Sequence, residues 1–418
     1  MMFRATGLKG RSNIMKKNKM DIKKFANIKK TCAVCGGALD EPVISYPKLP
    51  LTETYSKSYD KTFIKGIDQY FHICKTCSHS QISNCINPSF LYGNNYKFRT
   101  SESNASKNRI EVFVNFLKTV IGGKSFNTII DIGCNDTYLL AGMEKFAKKL
   151  YGIDPILKER EKHSTDKVVC IGKLLEDTDI KEIVAPSKNL VLSTHTLEHV
   201  ENPKEFIVKI LSETPHETLY VFEFPYFTPL LKRNRFDQIF HQHMQYFSPQ
   251  SFEYLINSLG CEVVKMGENY HAWGSLLVAF KKSKKRSFKK ITAPLNINRY
   301  IENILKKYED FKDSMQKNRT TMLSLDDKIF GYGAALMLPV VFYHLGINAD
   351  IIDTIYDDDQ TKNGLTYANL PVKIMIPEDI NSFGKKSILI TAFDNVRPIL
   401  CRLKELEPKN IIVPINVF

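Results

Sequence analysis

The chain has 418 residues, of which 43% are hydrophobic and 25% are charged. This length and composition are typical of a folded, water-soluble protein with two or three domains. No apolar run approaches the ~20 residues that a membrane-spanning helix needs, and residues 1–30 lack the apolar stretch of a secretory signal. We therefore expect a cytoplasmic protein without a membrane span.

The formal net charge of +14 is concentrated in two segments. Residues 1–30 carry a charge of +9 and residues 281–290 carry +7, so the rest of the chain is close to neutral. Because no other segment is strongly basic, nucleic acid is not the expected partner, although a polyanionic partner for these two segments stays an alternative. We predict a disordered basic lead over residues 1–30.

Four cysteines in residues 31–90 form two Cys-x-x-Cys pairs, Cys32 with Cys35 and Cys74 with Cys77. Thiols stay reduced in the cytoplasm, and the thiolates of two such pairs can complete a tetrahedral zinc site. A redox role for one pair would need a thioredoxin-like βαβ context, which this segment lacks. The sequence therefore predicts a zinc-binding module over 31–90, in which structural Zn²⁺ takes the place of a large hydrophobic core.

Strands and helices alternate through residues 91–285, as expected of a doubly wound sheet. The seven strand candidates are 128–132, 150–154, 168–171, 189–194, 218–223, 261–266 and 275–280. Residues 225–260, rich in aromatic residues and His, interrupt this alternation after the fifth strand. An insertion at that point would lie over the carboxyl ends of the strands, where such sheets bind their ligands.

The first of these strands leads into the turn Asp131-Ile132-Gly133-Cys134-Asn135-Asp136. A Gly turn between a strand and a helix lets backbone N–H groups approach a ligand closely. Asp154 ends the next strand about twenty residues later, where a carboxylate can bind the hydroxyls of a ribose. The turn lacks the second and third glycines of a dinucleotide fingerprint, and similar turns also occur in ordinary βα units.

Two further segments carry histidines. Thr194-His195-Thr196-Leu197-Glu198-His199 follows the fourth strand, and it is either part of a site or a loop of surface polar residues. The insertion contains Phe240-His241-Gln242-His243, where an imidazole beside aromatic rings can be desolvated and act as a base near neutral pH. A metal site and an ordinary packed pair of histidines are the alternatives for the second segment.

A second α/β unit is predicted in residues 286–418, after a polar helix at about 297–325. It opens with a strand and the turn Gly331-Tyr332-Gly333-Ala334-Ala335, and its further strand candidates are 351–356, 387–391 and 411–413. Asp357 follows the second strand, as in a Rossmann-like domain. A nicotinamide-nucleotide site and a scaffold that helps to bind the nucleotide portion of a substrate are both compatible with this pattern.

The order of these features resembles the three-domain, S-adenosylmethionine-dependent sugar C-methyltransferase family. The shared features are the four-Cys module, the Asp-Ile-Gly-Cys-Asn-Asp turn, Glu-His after the fourth strand, the aromatic–His-x-His insertion and the Gly-Tyr-Gly-Ala-Ala turn. The resemblance covers about residues 31–418, and residues 92–101 resemble the stretch that closes over the family's active site. It implies an α/β fold with a small zinc-binding module, a seven-stranded class I methyltransferase doubly wound sheet and a C-terminal Rossmann-like domain.

The resemblance also implies a reaction. Members of this family methylate C-3 of nucleotide-linked 4-keto deoxysugars. A base removes the proton next to the ketone, and the enolate carbon then attacks the methyl group in line. By this resemblance His243 is the base, His199 orients the sugar or stabilises the enolate oxygen, and Tyr96 lines the same pocket. His241 is the competing base, and Gln242 lies between the two histidines in the catalytic segment.

The predicted ligands of the protein are S-adenosylmethionine, structural Zn²⁺ and a nucleotide-activated sugar. The predicted S-adenosylmethionine-binding residues are Asp131, Gly133, Asn135, Asp154, Leu174, Thr194 and His195. The predicted zinc ligands are the four cysteines of the N-terminal module. We expect the protein to be a monomer.

Three positions depart from the family's pattern. Phe240 stands in place of a Tyr, Gln242 in place of a Glu, and Thr137 in place of a Gly. Phe240 lacks a phenol that could bond to the substrate, and Gln242 lacks a carboxylate, although its amide can still orient a partner. Two alternatives therefore stay open: an O-methyltransferase in which His243 deprotonates a hydroxyl, and a catalytically silent homologue that holds a nucleotide sugar.

Overall fold

The computed structural model describes residues 26–52, 55–58, 66–87, 99–271, 274–284, 296–325, 327–377 and 380–415. The strands in these ranges are Ala26–Ile28 (β1), Ile44–Leu49 (β2), Tyr55–Ser56 (β3), Ile67–Ile73 (β4), Ser80–Ile82 (β5), Asn84–Ile86 (β6), Phe126–Ile132 (β7), Ala147–Ile153 (β8), Val168–Ile171 (β9), Asn189–Thr194 (β10), Leu219–Pro225 (β11), Gln245–Tyr246 (β12), Cys261–Asn269 (β13), Ser275–Lys282 (β14), Ile329–Tyr332 (β15), Ile352–Tyr356 (β16), Thr366–Tyr367 (β17), Leu370–Met375 (β18), Ser387–Ile390 (β19) and Asn410–Ile412 (β20). The α-helices are Asn104–Ile121 (α1), Tyr138–Met143 (α2), Pro203–Glu213 (α3), Phe227–Lys232 (α4), Pro249–Ser258 (α5), Ile297–Leu323 (α6), Leu338–Leu345 (α7) and Val396–Leu406 (α8). None of the helices in the described ranges combines the length and the apolarity that a bilayer crossing requires.

The central sheet has seven strands in the order β13-β14-β11-β10-β7-β8-β9. Strands β7 to β11 are parallel to one another, whereas β14 is antiparallel to both β11 and β13. Parallel strands covered on both faces are largely apolar, and Leu190, Val191 and Leu192 of β10 are completely buried. The predicted doubly wound sheet is confirmed.

Helices pack on both faces of the central sheet. Helix α1 begins after Ser103, whose side chain accepts a hydrogen bond from the Ser106 N–H, and it covers one face with residues such as Phe113. Helices α3 and α5 cover the other face, with Phe206 and Phe252 in the shared core. Because both faces are covered, the edge at the carboxyl ends of the parallel strands is where the sheet can bind a ligand.

Strand β12 of the insertion pairs with the sheet of the N-terminal module. This sheet has the order β12-β5-β4-β2, with Gln245 of β12 opposite Gln81 and Tyr246 opposite Ser80. Strand β1 pairs with β6, and the Lys29 N–H donates to the Ser83 carbonyl over 2.8 Å. The prediction of a disordered lead to residue 30 is therefore wrong for residues 26–30, because their backbone pairs with the module; residues 1–25 lie outside the described residues.

The C-terminal sheet has seven strands in the order β20-β19-β15-β16-β18-β17-β3. Strands β15, β16, β18, β19 and β20 are parallel, as predicted for an α/β unit, and β17 is antiparallel to β18. The edge strand β3 comes from the N-terminal module, where Tyr55 lies opposite Tyr367. Helix α6, predicted near residues 297–325, connects the two large sheets.

One apolar core joins the module, the insertion and the C-terminal unit. The ring centroids of Phe71 and Phe227 are 5.2 Å apart, and those of Phe236 and Phe311 are 5.8 Å apart. The insertion thus packs against the module on one side and against α6 on another. This packing fixes the position of the insertion residues that lie beside the central sheet. Residues 90 and 285, the predicted domain boundaries, lie outside the described residues.

Candidate active site

The turn after β7 is too crowded for any residue with a side chain at its centre. Gly133 has a φ of +72°, and a Cβ atom there would lie 2.0 Å from Thr196 Oγ1. The Gly133 N–H donates to the Ile153 carbonyl of β8 over 2.8 Å. The glycine therefore lets the turn lie directly against the segment that follows β10, at the carboxyl edge of the sheet.

Two carboxylates flank this turn, and they differ in their hydrogen bonds. Asp154 accepts one hydrogen bond from the Asn135 N–H at 2.9 Å and another from the Ile156 N–H at 3.0 Å. Asp131 is only 1% exposed, and neither of its carboxylate oxygens has a hydrogen-bond partner among the described residues. Burial, together with the charge of Asp154, raises the pKa of Asp131 to about 7. A buried carboxylate without a partner suits a ligand that carries a positive charge.

Three other predicted cofactor residues also lie at this edge. The Asn135 side chain accepts a hydrogen bond from the Thr100 N–H at 3.1 Å. Thr194 ends β10, and His195, with a φ of +51°, donates its N–H to the Glu223 carbonyl over 2.8 Å. Asn135 thus lies in the turn itself, and Thr194 and His195 lie at the carboxyl end of the neighbouring strand β10.

Leu174 and Tyr96 differ from the other predicted site residues. Leu174 lies after β9 with its side chain 51% exposed, so its role stays a prediction. Tyr96 lies outside the described residues.

The structure brings together the two histidines that were predicted as catalytic. His199 and His243 are 44 positions apart in the sequence, yet their ring centroids are 4.9 Å apart. The distance from His199 Nδ1 to the Gln242 carbonyl oxygen is 2.9 Å, and His243 also packs on Phe240 at 4.3 Å. Burial, followed by the neighbouring His199, lowers the pKa of His243 to about 3. His243 is therefore neutral near pH 7, with a lone pair that can accept a proton.

His241, the predicted competitor of His243, belongs to the packing between the insertion and the module. It is completely buried, with Nδ1 3.0 Å from Gln69 Nε2 and Nε2 3.0 Å from the Leu49 carbonyl oxygen. Burial lowers the pKa of His241 to about 4. Because both ring nitrogens are occupied by the module, the contacts favour a structural role over the predicted catalytic one.

Gln242 has both a backbone and a side-chain role in this loop. Its carbonyl oxygen bonds to His199, as described above, and its Nε2 donates to the Thr52 carbonyl over 3.4 Å. The side chain is 1% exposed, and its Oε1 has no hydrogen-bond partner among the described residues. The backbone of Gln242 thus holds His199, while its side chain turns towards the module.

Two acidic residues at this edge were not predicted as site residues. Glu198 is 1% exposed, and its Oε1 is 3.3 Å from His195 Nδ1 and 3.7 Å from His199 Nε2. Glu223 of β11 accepts hydrogen bonds from Asn269 Nδ2 at 2.9 Å and from Ser275 Oγ at 2.5 Å. The position of Glu198 directly before His199 was visible in the sequence, but its burial was not.

The four predicted zinc ligands form one cluster. The Sγ atoms of Cys32 and Cys77 are 3.6 Å apart, those of Cys35 and Cys74 are 3.4 Å apart, and all four lie within 4.8 Å of one another. A tetrahedral site with zinc–sulfur bonds of about 2.3 Å needs sulfur–sulfur separations of about 3.8 Å. The four thiols therefore fit one tetrahedral metal ion.

A second group, Glu198, His199 and His243, also has ligand atoms within 4.8 Å of one another. Its geometry could accept a cation, but binding through the ring nitrogens would occupy the lone pairs that a base requires. The arrangement can instead remove a proton at the neutral His243 and donate a hydrogen bond from a neighbouring imidazole, next to a turn that can hold a charged ligand.

Comparison with known proteins gives matches along most of the chain. Residues 106–266 match the family model of a methyltransferase domain, and residues 272–415 match that of a C-methyltransferase C-terminal domain. The chain is 23% identical over 403 residues to C-methyltransferase NovU of Streptomyces niveus, covering 92% of this chain and 95% of that protein.

Two solved methyltransferases share a more limited likeness. The first is a putative S-adenosylmethionine-dependent methyltransferase from Listeria monocytogenes, with 15% identity, a TM-score of 0.33 and coverage of 41% of this chain and 98% of that one. The second is the N-methyltransferase NodS from Bradyrhizobium japonicum, with 14% identity, a TM-score of 0.34 and coverage of 46% and 94%. The assignment rests on the two adjacent family matches and on the relative that spans the chain. The chain belongs to the S-adenosylmethionine-dependent C-methyltransferase family, and it is a methyltransferase.

Proposed function

We propose that this enzyme C-methylates a nucleotide-linked keto deoxysugar through an enolate. The observation that carries the proposal is the neutral, partly buried His243 beside His199, next to the cofactor turn. S-adenosylmethionine, when bound, supplies an electrophilic methyl group on a sulfonium centre. The relative over most of the chain is named a C-methyltransferase, and a methyl group can be added to carbon only if that carbon is first made nucleophilic.

We assign the cofactor-binding residues from the unpaired Asp131 carboxylate beside the turn. The buried Asp131 carboxylate suits the cationic end of S-adenosylmethionine, and Gly133 allows close approach to the backbone. Each Asp154 oxygen accepts one backbone hydrogen bond, so each retains a lone pair for a ribose hydroxyl. Asn135, Thr194 and His195 surround the same edge, and we keep Leu174 and Tyr96 as predicted contacts of cofactor and sugar.

The base is His243 in this proposal. The C–H bond next to a ketone is acidic. Burial keeps the His243 ring neutral before the substrate arrives, so a ring nitrogen has a lone pair to which this proton can be transferred. His199 lies beside it and can direct a ring N–H at the ketone oxygen, where negative charge develops. His243 thus acts on the carbon by removing its proton, and His199 stabilises the charge on the oxygen.

The Cys cluster supports a structural zinc ion. Besides the sulfur separations, the Val34 N–H points at Cys32 Sγ and the Gly37 N–H at Cys35 Sγ, each over 3.4 Å. Backbone N–H groups that face sulfur in this way stabilise thiolates, which are the form that binds metal. We propose Cys32, Cys35, Cys74 and Cys77 as the ligands of one Zn²⁺ that holds the module together.

A panel experiment tests the reaction. The protein is incubated with S-adenosylmethionine carrying a labelled methyl group and with nucleotide sugars that have or lack a 4-keto group. Mass spectrometry reports transfer, and NMR of the product locates the methyl group. We expect transfer to the carbon next to the ketone, only in the keto sugars. A methyl group on oxygen would identify an O-methyltransferase, and no transfer to any sugar would contradict the proposal.

A further inference from the structure

Glu198 is a buried acid surrounded by histidines. It lies in the turn between β10 and α3, and the groups that face it are His195 and His199 from its own segment and His243 from the insertion. Neither carboxylate oxygen accepts a hydrogen bond of good geometry from the described residues. Burial acts to raise the pKa of Glu198, but the neighbouring His199, His195 and His243 lower it to about 2. A carboxylate that stays ionised in such a place requires a positive neighbour.

The hydrogen bond of His199 fixes its orientation. The Gln242 carbonyl oxygen, 2.9 Å from His199 Nδ1, can only accept, so Nδ1 carries a hydrogen. The other nitrogen, Nε2, is 3.7 Å from Glu198 Oε1. A proton on Nε2 would therefore give the ring a positive charge next to the carboxylate, on a side chain that is 27% exposed.

His195 also depends on Glu198, from the other side. Its Nδ1 is 3.3 Å from Glu198, and its Nε2 is 3.5 Å from Glu223 Oε1. Burial and Arg109 act to lower the pKa of His195, but Glu198 and Glu223 raise it. The acid thus lies between two imidazoles, and one of them, His199, packs against His243 with ring centroids 4.9 Å apart.

We propose that Glu198 is a positioning residue that keeps His199 protonated on both ring nitrogens, so that His199 stabilises the enolate oxygen while His243 stays neutral and removes the proton. This inference rests on the proposed function. A positive ring beside His243 opposes a second positive charge, so one carboxylate sets opposite protonation states in adjacent rings. When the environment moves the pKa values of two neighbouring groups apart, one group can act as the acid and the other as the base.

The step balances without a further reactant. The carbon–hydrogen bond next to the ketone breaks, and its proton goes to a ring nitrogen of His243. The electron pair of that bond forms the carbon–carbon double bond, and the ketone oxygen takes the negative charge beside the His199 N–H. The enolate carbon then bonds to the methyl group as the carbon–sulfur bond breaks, with its electron pair left on sulfur.

The test compares Glu198→Gln with wild type in the full, zinc-loaded chain. Gln keeps the shape of the side chain but removes its charge. The first readout is the ¹⁵N NMR of the His199 ring between pH 5 and 9, which needs no substrate. We expect both ring nitrogens to be protonated in wild type near pH 7, and a neutral ring in Glu198→Gln. The second readout is methyl transfer, where we expect kcat to fall by about 10–100-fold with little change in KM for S-adenosylmethionine.

Two further variants serve as a control and as a charge-retaining substitution. Glu201→Gln, in the same segment but paired with Lys29 at the surface, should leave both readouts unchanged. Glu198→Asp, which retains the charge if Glu198→Gln fails to fold, should keep His199 charged and retain part of kcat.

Several results would overturn the inference. They are a neutral His199 in wild type, the same charge state in Glu198→Gln, or stoichiometric Mn²⁺ binding that broadens the His199 and His243 signals and is lost in His243→Asn. If no sugar is methylated but His199 loses its charge in Glu198→Gln, the proposed reaction fails while the electrostatic role of Glu198 stands.

Discussion

The two seven-stranded sheets have the same local sequence pattern after two of their parallel strands, but the described acids beside the two turns differ in their partners. Each has a Gly with a positive φ after its first strand and an acid after the second: Gly133 with Asp154, and Gly333 with Asp357. In the central sheet the neighbouring Asp131 is buried without a partner among the described residues. In the C-terminal sheet, the described residues show no such unpaired acid beside the turn.

The acid of the C-terminal turn is satisfied by its own chain. Asp357 accepts hydrogen bonds from the Ala334 N–H at 2.6 Å and the Asp359 N–H at 2.9 Å. Lys362 Nζ, 3.0 Å from Asp357 Oδ2, supplies a positive charge from within the domain. The difference teaches that a Gly turn followed by an acid identifies a fold, whereas an unpaired buried charge identifies a binding site.

The largest expected effect comes from the module that supports both sheets. Cys32→Ser should abolish zinc binding, and structural zinc contributes on the order of 10 kcal/mol in small metal-held modules. Strand β12 pairs with the module, so the loop that carries His243 should lose its support while β7 to β11 stay folded. Elemental analysis, hydrogen exchange and methyl transfer measure these outcomes.

Cys401→Ser, which changes an exposed cysteine of α8, is the control for that variant. It should retain one zinc ion per chain and full hydrogen-exchange protection. Wild-type protein without stoichiometric zinc, or a Cys32→Ser variant with an unchanged β12 and β5, would contradict the proposed role of the metal.

The proposed base, His243, gives the next largest effect. His243→Asn removes the proton acceptor but keeps a polar side chain, and general-base catalysis typically contributes 10²–10⁴-fold. We expect the rate of methyl transfer to fall by about that factor, with cofactor affinity unchanged in calorimetry. His216→Asn, at an exposed position before the first residue of β11, should behave as wild type. Equal rates in the two variants would remove His243 from the mechanism.

The comparison of the sheets can be tested directly at their acids. Asp154→Ala should weaken S-adenosylmethionine binding by ~1.5–3 kcal/mol, the usual loss for hydrogen bonds to a charged group. Asp357→Ala, the matched change in the other sheet, should leave that affinity unchanged. Calorimetry measures the affinity of both variants. A loss of S-adenosylmethionine affinity in Asp357→Ala alone would show that the cofactor binds to the C-terminal sheet instead of the central one.

Acidic pH should produce the smallest effect. The pKa of Asp131 is raised to about 7, so its carboxylate becomes protonated as the pH falls below that value. A cationic ligand prefers the ionised form, and its affinity should therefore fall by roughly fivefold to tenfold between pH 7.5 and 6. Asp131→Asn should bind more weakly at pH 7.5 and lose this dependence. The same pH dependence in that variant would assign the effect to another group.

Much of the central sheet could be predicted because its strands contain short, mainly apolar segments that end in polar turns. The Cys cluster was also predictable, since two Cys-x-x-Cys pairs have a spacing that few other structures require. The two-residue strands β3 and β12 were not, because so short a pairing leaves no periodicity in the sequence. They form only when the module, the insertion and the C-terminal unit pack together.

The sequence predicts which residues form the candidate site, but it does not predict their contacts. His199 and His243 meet because β12 fixes the end of the insertion against the module. His241 and His243 are two positions apart and look equivalent in sequence, yet tertiary packing occupies both nitrogens of His241. The burial of Glu198 likewise depends on the insertion that covers it.

Hydrogen–deuterium exchange into the sugar tests the central claim most directly, because it isolates proton removal from methyl transfer. A nucleotide 4-keto sugar is incubated with the enzyme in D₂O without S-adenosylmethionine, and NMR follows the carbon next to the ketone. Wild-type protein should introduce deuterium at that carbon, and His243→Asn should not. Undiminished exchange in His243→Asn, or methyl transfer by wild type without any exchange when the methyl donor is withheld, would contradict enolate formation by His243.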